Sequence, residues 1–349
     1  MQLGVDTYSL RSQGWNAFEH LEHAHSIGLD VVQFSERTFF ESLEEDYLKR
    51  VKARADELEI EINVGMLSLC PTSTVFAKER GTAAQQLQQM LHVADWVGSP
   101  LVRCVLGTGA DRRTAVPLKT HIEGTIETCR AVRDLAMDLG IKIAIEDHGG
   151  DLQGRELRAL IEEAGPEYVG ACIDSGNPIW TVESPFVTLE HLAPYVITSH
   201  VRDTAIWEHP RGAAVQWVAM GDGTIGIDEW ARQFQEKCKD ASFTLEIITG
   251  GPPSVVSYLE PEFWEAYPDT PASEFARFVK LAKKGQPFMG PGLTTEGGQD
   301  IPPEYQAALR VQQRLDLERS VRYCQEVLSI GERRAPARLR PPPISGGEA

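Results

Sequence analysis

Basic residues are in short supply in this 349-residue chain: 34 Lys and Arg against 51 Asp and Glu leave a formal net charge of −17. So acidic a chain lacks the basic face that nucleic acid or anionic lipid requires, which argues against both as partners. Cysteine is sparse, with six residues (Cys70, Cys104, Cys129, Cys172, Cys238 and Cys324) and no CxxC pair. That argues against a disulfide framework and a zinc ribbon. No apolar run approaches the roughly 18 residues of a membrane span. The start, Met1-Gln2-Leu3-Gly4-Val5-Asp6, lacks the basic and apolar regions of a secretory leader. A reducing, cytoplasmic setting is the expectation. No G-x-G-x-x-G follows any candidate strand, and Gly107-Thr108-Gly109 is a lone G-x-G, too little to support a dinucleotide-binding sheet.

What is present is a repeat of short apolar runs and longer helix-period segments. The runs are 2–5, 31–34, 62–66, 101–106, 141–145, 168–173, 196–199 and 243–248. Each is rich in Val and Ile and nearly continuously apolar, as parallel strands buried on both faces are. Between them lie helix-period segments such as 83–97, where Leu87, Met90, Leu91 and Ala94 share one face. Gly28, Gly98, Gly140 and Gly165 stand where helices should end. Eight such units predict an α/β fold, a (β/α)8 TIM barrel over residues 1–284. Two stretches fall outside the repeat. One is an insertion, 204–226, after the seventh strand. The other is a C-terminal extension, 285–349, with Gly/Pro-rich stretches at 287–298 and 333–343 around a helix at 303–328. Leu309, Leu315, Val321 and Leu328 give that helix apolar surface to bury. The extension reads either as an appendage of its own barrel or disordered tail, or as an extended arm on a second copy or another subunit. The arm is the expectation taken forward, and removal after Lys284 should then leave a metal-binding barrel and change the assembly mass.

In a barrel, chemistry gathers at the C-terminal ends of the strands. Four successive ends carry Glu146, Asp174, His200 and Glu246. This hard, oxygen-rich set suits Mn²⁺, Mg²⁺ or Fe²⁺ and leaves coordination positions for substrate oxygens. Singly, Asp174 also reads as a turn residue. Glu246 among apolar neighbours is harder to explain without a partner. The cluster His20-x-x-His23-x-His25 sits on the first outer helix, away from the strand ends, and is expected to form a solvated or interface face.

Gly4-Val5-Asp6-Thr7-Tyr8-Ser9, Ile145-Glu146-x-His148, Asp174-x-Gly176-Asn177, His200-x-x-Asp203 and Leu245-Glu246 together resemble the xylose-isomerase-like barrels, which include sugar phosphate isomerases and ketose 3-epimerases. The resemblance runs from about residue 1 to 285. It implies one divalent ion, manganese first with Mg²⁺, Fe²⁺ or Co²⁺ as alternatives, on Glu146, Asp174, His200 and Glu246. Ketose 3-epimerases carry a histidine shortly after the strand-six aspartate, where this chain has Asn177; here His148 follows strand five instead. With Val201-Arg202-Asp203, the Trp-bearing insertion and the segment 247–253, this looks more like the α subunits of bacterial C-glycoside deglycosidases. That likeness implies a metal-dependent lyase acting on 3-oxo-glucosides with a small separate β subunit, in a higher oligomer.

Either subgroup works through an enolate next to a metal-held ketone. Reprotonation gives an epimer or isomer, and loss of a β substituent gives elimination. His148 is the favoured base, because imidazole titrates near neutrality; the other reading is a histidine donating to a backbone carbonyl. Glu146 or Glu246 could serve as both ligand and base. Arg202 and Asp203 read as substrate contacts or a rim salt bridge, Glu36 as a partner of sugar hydroxyls or a loop cap. Trp180, Trp207 and Trp217 read as stacking surfaces or loop filler, and Asn177 as a substrate contact. An apurinic endonuclease would need more histidines and a basic face. A non-enzymatic sugar-binding barrel would be expected to lack the four ligands.

Overall fold

The computed structural model describes residues 1–248, 250–294 and 301–331. Eight parallel strands form the central sheet: β1 (Leu3–Asp6), β2 (Val31–Phe34), β3 (Glu61–Ser68), β4 (Leu101–Val105), β5 (Lys142–Glu146), β6 (Val169–Asp174), β7 (Val196–His200) and, after a hairpin of β8 (Asp203–His209) and β9 (Gly212–Val218), β10 (Phe243–Leu245). They pair in the order β10-β1-β2-β3-β4-β5-β6-β7. A parallel bridge between Val201 and Leu245 joins the last strand to the seventh and closes the barrel. The expected eight-strand barrel is therefore present. Two strands end one residue later than the apolar runs indicate, on Glu146 and Asp174 themselves, so those acids are fixed by the sheet.

The outer layer comprises α1 (Ala17–Ser26), α2 (Glu45–Glu57), α3 (Ala83–Val97), α4 (Leu118–Ala131), α5 (Arg133–Leu139), α6 (Gly154–Ala164), α7 (Pro185–Leu192), α8 (Ile227–Lys237), α9 (Ala272–Lys284) and α10 (Pro303–Glu326). Local signals explain their limits. Thr82 and Gln85 form a capping box at the start of α3, and Gly98 closes it in the left-handed region (φ 70°). The buried side of α3 includes Leu87, Met90, Leu91 and Ala94, the face expected from spacing.

The insertion is an antiparallel hairpin, extended by β11 (Ser254–Val256) into a three-stranded sheet in the order β11-β9-β8. α9 packs against β8 and ties to α6 and α7 through Arg155–Glu274 at 3.2 Å and Arg277–Glu190 at 2.6 Å. It therefore covers the hairpin instead of serving as the eighth barrel helix.

That place is taken by α10. Gln313 accepts from the Ser12 backbone N–H at 3.2 Å, Ser320 accepts from the Met220 N–H at 3.1 Å, and Tyr323 donates to Asp228 on α8. Leu317, Cys324 and Ile330 are fully buried, and the Gly331 N–H reaches the Met1 carbonyl. The described part of the extension thus packs on its own barrel, between α8 and the chain entering α1, and is no free arm. Leu309 and Val321 face inward as expected, whereas Leu315 is exposed. The stretch 333–343 and part of 287–298 lie outside the described residues. No described helix is long and apolar enough to cross a membrane.

Candidate metal centre and its surroundings

The strand register places the chemistry. Asp174 on β6 is directly paired with His200 on β7. Glu146 ends β5, and Glu246 follows β10, its N–H held by the Val201 carbonyl at 2.9 Å. One donor atom from each of Glu146, Asp174, His200 and Glu246 lies within 4.8 Å of the others, and all four residues are buried. His200 Nδ1 points at Glu146 and Glu246 oxygens 3.0 and 3.4 Å away, yet makes no directed hydrogen bond. A buried imidazole nitrogen aimed among three carboxylates fits a hard divalent cation, and the donor set agrees. Without a cation, burial disfavours charge on both Glu146 and His200. Arg103 and His200 nevertheless hold the Glu146 carboxyl well below its ordinary value. Cys172, Glu146 and Asp6 hold His200 well above its own. A divalent ion held by this cluster would have to displace a His200 proton.

Two residues that matter here were not singled out in the sequence. Arg103, on β4 and buried, donates through Nε to Glu146 at 2.5 Å. Its signal was a cation inside an apolar strand, which needs a buried counter-ion. Asp6, fully buried at the end of β1, lies 3.2 Å from His200 Nε2. Its other oxygen accepts from the Tyr8 N–H at 2.9 Å and from Ser35. Gln33 Nε2 also meets His200 Nε2 and donates to Asp6. The Asp6 carboxylate behind the far nitrogen favours a proton on Nε2, which leaves the Nδ1 lone pair facing the cluster. Asp6→Asn places an N–H₂ there and favours the opposite tautomer. It is expected to weaken Mn²⁺ binding about 10–100-fold, measured by metal titration of the purified protein. Unchanged affinity would show that Asp6 does not set the ring.

His148 follows Glu146 by two residues. Its Nδ1 lies 2.8 Å from the Gly107 carbonyl, and its backbone N–H is held by Asp151 at 2.8 Å. A carbonyl can only accept, so Nδ1 carries the proton and Nε2 the free pair. The carbonyl contact that could mark a structural histidine here selects the tautomer a base requires. Burial pushes the His148 pKa below the ordinary imidazole value, with Arg103 and Arg202 adding to this against Glu146. The ring is therefore neutral at neutral pH and within electrostatic reach of the donor cluster.

Arg202 is almost wholly buried, and one of its terminal nitrogens contacts both Asp174 and Glu246. Its guanidinium lies 4.5 Å over the Trp217 ring, which meets Trp180 edge-on at 5.5 Å. Arg202 Nε and Trp217 Nε1 are buried and have no hydrogen-bond partner among the described residues. Two such N–H donors beside the four-residue donor cluster are suited to oxygen acceptors on a small molecule. Asn177 donates to Glu146 Oε1 at 3.1 Å, so it holds a member of the donor cluster in place.

The remaining expectations are relocated. Asp203 accepts from the Thr204, Gly221 and Gly223 N–H groups at 2.8, 3.1 and 2.9 Å, which makes it the anchor of the hairpin base. Burial raises its pKa to about 7. Trp207 pairs with Ala214 while Trp217 pairs with Thr204; three residues of offset put the two indoles on opposite hairpin faces. Glu36 lines a separate groove with Arg37, Met66, Ser68 and Met90. His20 is buried among Trp15, Phe34 and Phe39, and His23 also packs on Trp15. Desolvation lowers both to about 4, so only His25 of that cluster keeps to the exposed face expected for it.

Residues 21–283 match the xylose isomerase-like TIM barrel family, and the chain belongs to it. Among curated proteins it is similar to 3-oxo-isoapionate decarboxylase of Pectobacterium atrosepticum, 21% identical over 240 residues, covering 65% of this chain and 78% of that protein. Among solved structures it is similar to a D-psicose 3-epimerase crystallised with D-fructose (TM-score 0.61, 15% identity, 94% of this chain and 99% of that one). It also resembles the 3-keto-D-glucoside 4-epimerase of E. coli (TM-score 0.55, 13% identity, 80% and 98%). At these identities the structural likenesses concern the fold.

Proposed function

We propose that this protein is a divalent-metal-dependent carbohydrate lyase that cleaves the sugar–aglycone bond of 3-oxo-glucosides, including C-glycosides. The observation that carries the reading is the pairing of a four-residue donor cluster with a half-buried histidine whose tautomer is set by the Gly107 carbonyl. Glu146, Asp174, His200 and Glu246 would hold a divalent ion, Mn²⁺ in our reading, which would supply Lewis acidity toward negative charge on a 3-oxo oxygen. His148 Nε2 takes the proton from C2. The electron pair left on C2 forms the C1=C2 bond as the bond from C1 to the aglycone breaks. The departing aglycone atom takes up a proton, and for a C-glycoside this is the ring carbon. Glu146 and Glu246 are the alternative bases. Arg202 Nε–H and Trp217 Nε1–H orient substrate oxygens, and the Trp180–Trp217 pair offers an aromatic surface.

The relatives support the substrate class more than the bond. A 3-oxo-isoapionate decarboxylase and a 3-keto-glucoside epimerase both act on sugars oxidised at position 3, by their names. A ketose epimerase or isomerase is the second reading, favoured by the nearly full-length likeness to D-psicose 3-epimerase. Incubating the Mn²⁺-loaded protein with 3-oxo C- and O-glucosides, and separately with free ketoses, decides between them. Aglycone release is expected from the 3-oxo-glucosides. Interconversion of ketoses without aglycone release would establish the second reading, and Glu246→Gln is expected to abolish either activity. A small co-encoded β subunit belongs to the same proposal and is tested by co-purification.

A further inference from the structure

α10 has two faces. One is buried on the barrel through Leu309, Gln313, Leu317, Ser320, Val321 and Cys324. The opposite face is apolar at its centre, where Val311 is 46% and Leu315 55% exposed. Reading along that face gives Glu304, Ala308, Val311, Leu315, Glu318 and Arg322. Their spacing of four, three, four, three and four residues is the heptad seam of a coiled coil. Glu304, Ala308, Val311, Leu315 and Arg322 are exposed and Glu318 half-exposed. Among the described residues, Glu304 and Arg322 form no ion pair, although most acids and bases on the other helices do.

The seam is symmetric about the level of Gln313. Glu304 and Arg322, Ala308 and Glu318, and Val311 and Leu315 are each equidistant from it. In an antiparallel pair of α10 helices related by a two-fold axis at that level, Val311 therefore meets the partner's Leu315, and each Glu304 meets the partner's Arg322. A parallel pair would instead set Glu304 against Glu304 and Arg322 against Arg322. An isologous contact requires a surface complementary to itself, and this stripe has opposite charges at its two ends around an apolar middle. We propose that α10 is a homodimerisation helix, its outward stripe packing antiparallel on a second copy of this chain. Because α10 is fixed to its own barrel at Ser12, Met220 and Asp228, the dimer joins two complete barrels and exchanges no segment. One helix pair buries less than a standard interface, so the association is concentration-dependent.

Sedimentation equilibrium of the full-length protein over about 1–100 μM tests this, a range in which interfaces of modest area dissociate. A monomer–dimer equilibrium is expected. Val311→Asp/Leu315→Asp should raise the dissociation constant at least about tenfold. Both positions are exposed, so the thermal midpoint of the monomer should not fall. Glu304→Arg and Arg322→Glu should each weaken the dimer, and the double variant should restore it. A monomer throughout the range would overturn the proposal and leave the stripe to another protein or to the chain's own last residues. A dimer indifferent to Val311 and Leu315 would overturn it too, by placing the interface elsewhere.

Discussion

Deleting residues 285–349 is expected to destroy the cooperative fold, and with it metal binding. Leu317, Val321, Cys324 and Ile330 are at most 2% exposed. Burying a side chain of this kind stabilises by roughly 1.5–3 kcal/mol, so together they contribute several kcal/mol. Removing α10 also uncovers the surface beneath it, including Leu3, which lies against Gly331. The combined loss is comparable to the roughly 5–15 kcal/mol that separates a native protein from its unfolded state. A chain ending at Gly331 keeps every contact described here and is expected to fold. Leu317→Ala, a smaller lesion, should cost about 2–5 kcal/mol. Thermal unfolding followed by circular dichroism compares all three. A chain ending at Lys284 that melts at the full-length midpoint would show that α10 is dispensable.

The barrel was legible because parallel strands buried on both faces leave short Val/Ile runs, and because Val31–Phe34 and its counterparts stand apart from their helices in period. The four residues of the donor cluster were legible from strand ends, and the structure brings them together. Asp6 was not. It ends a strand like the others, but its meaning depends on His200, six strands away in sequence and close only once the barrel has closed. Arg103 could have been found by asking what neutralises a cation inside an apolar strand. The hairpin of β8 and β9 escaped for a different reason. Ala205 and Ile206, and Ala213, Ala214 and Val215, are buried consecutively, so both faces of the hairpin are covered there, with α9 packed against β8, and the in-out alternation that marks a half-exposed hairpin is missing. The extension helix was found, but its apolar residues alone did not say which side is buried: Leu309 faces the barrel and Leu315 is exposed. Six residues of an α-helix span well over one and a half turns, which carries Leu315 round to the side away from Leu309.

His148→Ala is expected to lower kcat by about 10²–10⁴-fold, the usual worth of a positioned general base, while metal content and thermal midpoint stay near those of the parent. The geometry makes this a sharp test. His148 is no donor in the metal cluster, its Nδ1 contact is one backbone carbonyl, and its N–H bond to Asp151 belongs to the main chain and survives the substitution. The pH profile adds an independent reading. His148 works as a base only when neutral, and burial lowers its pKa from the ordinary imidazole value. The acid limb of kcat should therefore fall below that value, and activity should persist into mildly acidic buffer until the ring protonates. This limb is measured in the metal-saturated enzyme, because His200 must also lose a proton to bind metal and its pKa is shifted upward. Falling pH therefore weakens metal binding separately from the loss of base. In His148→Ala the residual activity should lack the acid limb due to His148 and keep the metal-dependent one. Solvent deuterium is expected at C2 of recovered substrate with the parent enzyme if proton return competes with aglycone loss. A fully active His148→Ala with an unchanged acid limb would transfer the proton abstraction to Glu146 or Glu246.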